Sequence, residues 1–216
     1  MAIQIIFELL IVLIGVSGII RHSGLLTGTV RKDFFRYYTN LSNLLVVMFY
    51  MFRTVIRIRR SYDGFYGKIV FSEIWFYSVT MCIFLTFGIF HFVLYPQLKK
   101  SPSGSHEFKF LHSLSNYCVH YIIPLLSLLN WFLFSDKMAL QYFWAVIWTI
   151  IPLIYVVYAQ ILGAKNMIIE NTESAYPYDF MDTKKHGWKI VLRNCVIVMI
   201  VFVISGLLLI FIRKMI

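Results

Sequence analysis

The stretch FFRYYTNLSNLL, residues 34–45, places Thr39, Asn40, Ser42 and Asn43 within five positions of an otherwise greasy segment. Farther along, His112, Asn116 and His120 recur every four residues in LHSLSNYCVHYIIP, a spacing that lines one face of a helix. A threonine hydroxyl attacks an acyl carbon when a neighbouring base takes its proton, and His120 is the best base the chain offers. A third group usually orients the imidazole, and Asn116, one turn away, is the candidate. Asn40, Asn43 and Arg193 are the candidate donors to a developing oxyanion. The competing readings are a threonine bonded back to its own helix and a hydrogen-bonded core histidine.

These residues have to be carried by membrane helices. Of 216 residues, 60% are hydrophobic and 14% charged, too much apolar surface for a soluble domain to hide. Runs of roughly twenty apolar residues are what a bilayer span requires. Six such runs are expected: Ala2 to Ile20, Phe34 to Phe52, Ile74 to Leu94, Leu111 to Phe134, Ala139 to Leu162 and Trp188 to Ile212. The connections are too short for a soluble domain, so the expected architecture is all-α, one polytopic integral membrane domain over residues 1–216. The first run lacks the basic start and small-residue cleavage site of a signal peptide and is read as retained.

The polar residues inside these spans collect toward one membrane face. Thr39 is expected about five residues into the second span, roughly 8 Å deep, with Asn43 one turn deeper. His91 closes the third span, Tyr155, Tyr158 and Gln160 the fifth, and Arg193 and Asn194 open the sixth. Polar groups in hydrocarbon face the bundle interior, so the pattern predicts a polar cavity in one membrane half, with His91, His112, Tyr155 and Tyr158 lining it. The other half is poorer, Glu8, Glu73 and Asn130 being its main polar residues. Pro124 and Pro152 withdraw the N–H that the carbonyls of His120 and Trp148 would accept, and so predict kinks. The loop segment YPYDF, with Tyr176, Pro177 and Asp179, reads as a lid over the cavity or an interfacial anchor, and KKSPSGSH, from Lys99 to His106, as a flexible loop.

Several classes fall away. The formal charge of +10 sits in loops flanking membrane segments, where anionic headgroups rather than nucleic acid are the partner. The three cysteines all lie within spans and make no disulfide framework. His91, His112 and His120 lack the accompanying ligands of a metal or haem centre, so neither metal nor cofactor is expected. Cys118, two positions and about 200° from His120, is poorly placed to share its base, which disfavours acyl transfer through that thiol. The basic stretch RTVIRIRR after the second span points to cytoplasmic termini, in the plasma or inner membrane if the source is microbial.

Four segments in order, YYTNLSN, YPQL, NYCVHYIIPLL and YPYDF, make the chain similar to the androgen-induced and androgen-dependent-TFPI-regulating family of six-helix membrane proteins, on its microbial side. The resemblance implies hydrolysis of fatty-acid esters of hydroxy fatty acids, with the threonine and histidine roles falling on Thr39 and His120. The chain departs from the animal pattern in having Tyr117 in place of a second histidine and YPYDF in place of Tyr-Pro-Phe. The expected function is an integral-membrane lipid ester hydrolase with membrane lipids or fatty-acid esters as partners. The alternative is a non-catalytic lipid-binding or transport protein of the same fold.

Overall fold

The computed structural model describes residues 2–28, 31–60, 62, 64–100, 102, 103, 105, 109, 111–170, 172 and 174–216, apart from the side chain of Thr27. The protein is all-helical over these residues, with six helices long and apolar enough to cross a membrane: α1 (Ala2–His22), α2 (Tyr38–Arg59), α3 (Glu73–Leu98), α4 (Leu114–Phe134), α5 (Trp144–Ala164) and α6 (Thr183–Met215). It is a multi-pass membrane protein. The chain divides into two compact units. One comprises Met1–Arg31 with Thr39–Ala139 and holds α1, nearly all of α2, α3 and α4; the other comprises Lys32–Tyr38 with Leu140–Ile216 and holds α5 and α6.

Along α1 of the four-helix unit most large apolar side chains turn outward. Along α1 the buried residues are Glu8, Ile11, Gly15, Gly18 and His22, while Ile3, Ile6, Leu9, Leu13 and Val16 are exposed. That three-four spacing is a helical seam, and apart from Ile11 it is polar and small residues that face the bundle. The glycines allow close approach: a Cβ on Gly15 would sit 2.3 Å from a Val47 methyl of α2, and one on Gly18 would sit 3.1 Å from Cys118 Cβ of α4. The seam opens with a charge cluster. Glu8, wholly buried, accepts hydrogen bonds from Arg53 Nε at 2.9 Å, Arg57 Nη2 at 3.1 Å and the Thr54 hydroxyl at 3.3 Å. Phe76 and Phe71 cover the Arg53 guanidinium at 4.0 and 4.9 Å.

The cluster corrects two expectations. Helix α2 runs on to Arg59, so most of RTVIRIRR is helix rather than loop, and Arg53 and Arg57 are engaged by Glu8 instead of standing free at a headgroup surface. The support that RTVIRIRR lends to cytoplasmic termini shrinks with them. At its other end α2 starts at Tyr38, because Phe34–Arg36 forms a separate 3-10 turn and Tyr37 is extended. Thr39 is therefore in the first turn of α2, not five residues in.

Both prolines predicted to disturb a helix do so. Trp148 and Thr149 fall between two helical stretches of α5, and the Trp148 carbonyl accepts from Ile151 N–H at 3.2 Å in place of the N–H that Pro152 lacks. In α4 the disturbance is a π-turn, Cys118–Ile122, ahead of Pro124. A matching π-turn, Phe90–Leu94, precedes Pro96 in α3. Helix α6 is also interrupted: Gly187, at φ 75°, breaks it one residue before Trp188, the position at which the sequence places the start of the span. Asp182 caps the preceding turn, accepting from Lys184 and Lys185 N–H at 2.9 and 3.0 Å.

Removing one partner of a buried ion pair leaves the other charge uncompensated. Glu8→Ala is accordingly expected to destabilise the protein by about 3–5 kcal/mol. Thermal unfolding in detergent micelles measures this, and a midpoint equal to wild type would contradict it.

Candidate functional site

The geometry around His120 follows from Pro124. In the π-turn, the N–H of Ile123 bonds to the Cys118 carbonyl rather than to that of Val119. The N–H one position on, which would serve Val119 in a π pattern, is missing because residue 124 is proline. The Val119 carbonyl thus has no donor from its own backbone. Asn43 of α2 supplies one: its Nδ2 donates to Val119 O at 3.0 Å and to Thr39 O, one turn back on its own helix, at 2.7 Å. One carboxamide therefore holds the turn bearing Thr39 to the turn bearing His120. Thr39 is 7% and His120 3% exposed, so both are enclosed within the bundle.

The surrounding polar groups are also interhelical. Ser42 and Thr86 hydroxyls meet at 2.7 Å and tie α2 to α3, and the Ser42 hydroxyl also donates to Thr39 O at 3.1 Å. The two π-turns stand side by side: the His120 ring stacks on Phe90 with centroids 3.8 Å apart, and in the next pair His91 Nδ1 lies 3.2 Å from the Tyr121 hydroxyl. His120 Nδ1 is buried and has no hydrogen-bond partner among the described residues. His22, buried at the end of α1, is near enough to His120 for the two rings to interact electrostatically.

Several expected roles move. Both hydrogens of the Asn43 carboxamide go to backbone carbonyls, so Asn43 positions the site instead of serving an oxyanion. Asn116 is wholly buried, but its amide donates to Leu111 O at 3.0 Å, and it is Phe90, not Asn116, that holds the His120 ring. His112 precedes the start of α4 and is exposed, which shortens the expected stripe to Asn116 and His120. His91 is likewise exposed, although bonded to Tyr121. Asn40, 3% exposed, is enclosed beside Thr39 in the first turn of α2. Sequence reasoning passed over His22, Thr86 and Phe90. A small-residue seam leading along α1 to a histidine was the available signal for the first.

The remaining expected residues belong to the two-helix unit, where Arg36 ties several segments together. Its buried guanidinium donates to Ala175 O at 2.5 Å, Met167 O at 2.7 Å and Asp33 Oδ1 at 3.3 Å. Tyr155 and Tyr158 hydroxyls donate to the carbonyls of Arg36 and Phe35 at 2.9 and 3.3 Å. In YPYDF, Tyr176 and Tyr178 are buried in this unit rather than standing as wet-edged anchors, and Pro177 between them is partly enclosed. Tyr176 lies against Gly163, its hydroxyl 2.7 Å from that of Thr183. Asp179 is exposed; its hydrogen bond to Lys185, at 2.5 Å, holds its carboxyl below the usual carboxylate range, aided by His186 at 3.0 Å. Arg193 is exposed too, its guanidinium beside Asn194 Oδ1 at 3.5 Å, which does not suit an oxyanion donor. Parts of the two loops, Ser101, Gly104 and His106 of KKSPSGSH with Asn171 and Glu173 before YPYDF, lie outside the described residues.

Among the described residues no group of three or more His, Cys, Asp or Glu side chains could hold a metal ion. No protein family, curated protein or solved structure matches the chain.

A Cβ on Gly163 would fall 2.1 Å from the Tyr176 ring. Gly163→Ala is therefore expected to displace that buried ring and to cost about 1–3 kcal/mol. Chemical denaturation of the variant checks this, and unchanged stability would show that the ring moves freely.

Proposed function

We propose that the protein is an integral-membrane hydrolase of fatty-acyl esters, related to the androgen-induced and androgen-dependent-TFPI-regulating family. The observation that carries this reading is the Asn43 bridge, which fixes a buried hydroxyl and a buried imidazole on adjacent turns of two helices. The family resemblance assigns the two reacting roles to the same pair.

In this mechanism Thr39 Oγ1 attacks the ester carbonyl carbon while a ring nitrogen of His120 takes the hydroxyl proton. The tetrahedral intermediate collapses, the C–O bond to the alcohol breaks, and the alcohol leaves with that proton. Water, deprotonated by the same ring, attacks the acyl-threonine; its collapse frees the fatty acid and returns the proton to Thr39. Asn40, enclosed beside Thr39, is the donor for the oxyanion. Apolar substrate enters sideways from the bilayer.

A second reading has one observation in its favour. The His120 face is covered by Phe90 at 3.8 Å, which suits a packed core histidine in a lipid-binding protein.

Labelling by a fluorophosphonate probe, with intact mass after exposure to an activated acyl ester, separates the two. Wild type is expected to acquire one acyl or phosphonyl group and Thr39→Ala none. His120→Ala should label about 10²–10⁴-fold more slowly. Thr39→Ser should retain labelling. Equal labelling of wild type, Thr39→Ala and His120→Ala, or none of wild type, would dismiss the hydrolase and leave the binding protein.

A further inference from the structure

Arg193, unsuited to an oxyanion, stands as a cation on the outside of a membrane span. It lies five residues beyond Trp188, roughly 8 Å along α6. Lys189, four positions before it, is on the same helix face, and both side chains are exposed. Neither forms an ion pair among the described residues. A cation on the outside of a span is costly unless it reaches the headgroups or an anion.

The nearby acids are already occupied. Asn194 Nδ2 donates to Phe180 O at 3.2 Å, which holds the loop carrying Asp179 beside this turn of α6. The Asp179 carboxylate accepts from Lys185 and His186. Asp182 accepts from the Ser174 hydroxyl and from the N–H groups of Lys184 and Lys185. Lys189 and Arg193 are left as an unneutralised pair.

Their direction follows from the helix. Side chains lean toward a helix N-terminus, and the span of α6 has exposed Trp188 at that end, a residue type that favours the membrane surface. Both long side chains therefore reach toward the same headgroup layer. With Cβ atoms about 5–6 Å apart, they can take one phosphate between them, the guanidinium as a fork and the ammonium as a point charge. Below Arg193 the same face continues through Ile197, Val201, Ile204 and Leu208, all more than half exposed. From Arg193 to Leu208 is about 22 Å, longer than the roughly 15 Å of hydrocarbon in one leaflet. A soluble anion has no use for such a row, and an acyl chain does. The headgroup has to carry net negative charge, because the cation of a zwitterionic headgroup is repelled by the same pair.

We propose that Lys189 and Arg193 bind the phosphate of an anionic phospholipid whose acyl chain lies along Ile197, Val201, Ile204 and Leu208. Gly187, which breaks the helix at φ 75°, keeps Lys184 and Lys185 out of this row. The site uses none of the residues of the proposed hydrolase.

Native mass spectrometry of the full chain tests this, with the protein in detergent titrated by phosphatidylglycerol or by phosphatidylcholine of the same acyl chains. Wild type is expected to bind one phosphatidylglycerol at least about fivefold more tightly than phosphatidylcholine. Lys189→Gln and Arg193→Gln should each weaken phosphatidylglycerol binding about fivefold, with phosphatidylcholine binding and the thermal midpoint unchanged. Lys184→Gln, which removes the same charge before the Gly187 break, should bind as wild type does. Excess inorganic phosphate should not displace the lipid. Equal affinity for the two lipids, or wild-type affinity in both Lys189→Gln and Arg193→Gln, would overturn the proposal. So would a loss in Lys184→Gln equal to that in Arg193→Gln, which would show diffuse attraction, or displacement by phosphate, which would show a site for the anion alone. None of these outcomes bears on acylation of Thr39.

Discussion

A carbonyl deprived of its backbone donor inside hydrocarbon has to find another, and in this protein that requirement arises at Val119. Pro124 provides no N–H, the π-turn passes the Ile123 N–H to Cys118, and the Asn43 carboxamide closes the gap from a neighbouring helix. Water would satisfy such a carbonyl in a soluble protein; within a bilayer core only protein or enclosed water can. The bond fixes the register of α2 against α4, and with it the proximity of the turns that carry Thr39 and His120. A glycine at position 18 lets α1 reach the same π-turn, and Phe90 from the neighbouring π-turn covers the imidazole.

The same constraint explains the rest of the four-helix unit. Because lipid is as apolar as leucine, burying leucine drives helix association weakly, and the contacts that select partners are polar or close-packed. Glu8 with Arg53 and Arg57, Ser42 with Thr86, and Gly15 against Val47 are all of that kind. Leu9, Leu13, Leu125 and Leu129 lie on the outside, although Ile11, Ile83 and Ile123 are packed within. A buried ion pair whose Arg53 guanidinium is covered by aromatic rings fixes which faces meet, whatever its net contribution to stability.

The six spans were legible because length and hydropathy alone decide them, and the disturbances at Pro124 and Pro152 because a missing N–H is written in the residue type. The depth of Thr39 was not, since an aromatic run such as FFRYY reads equally as helix or as a 3-10 turn followed by an extended residue. Arg53 and Arg57 looked like headgroup ligands because their partner lies 45 and 49 positions away in sequence. Arg36 was missed for the same reason: besides Asp33, its acceptors are backbone carbonyls of a distant loop, which leave no trace in composition. Asn43 and Pro124 were each conspicuous, but which carbonyl lost its donor depends on the hydrogen-bond pattern ahead of the proline, and a kink in a conventional helix would have implicated His120 instead of Val119.

A double-mutant cycle between Asn43 and Pro124 tests the central claim most directly. Asn43→Ala alone is predicted to cost about 1–3 kcal/mol, the usual penalty of stranding a buried carbonyl. Pro124→Ala restores a backbone N–H at that position and lets α4 resume regular hydrogen bonding, so Asn43→Ala made in that background should cost much less. Equal costs in the two backgrounds would mean that the carboxamide does not stand in for the proline's missing donor, and that something else sets the register of α2 against α4.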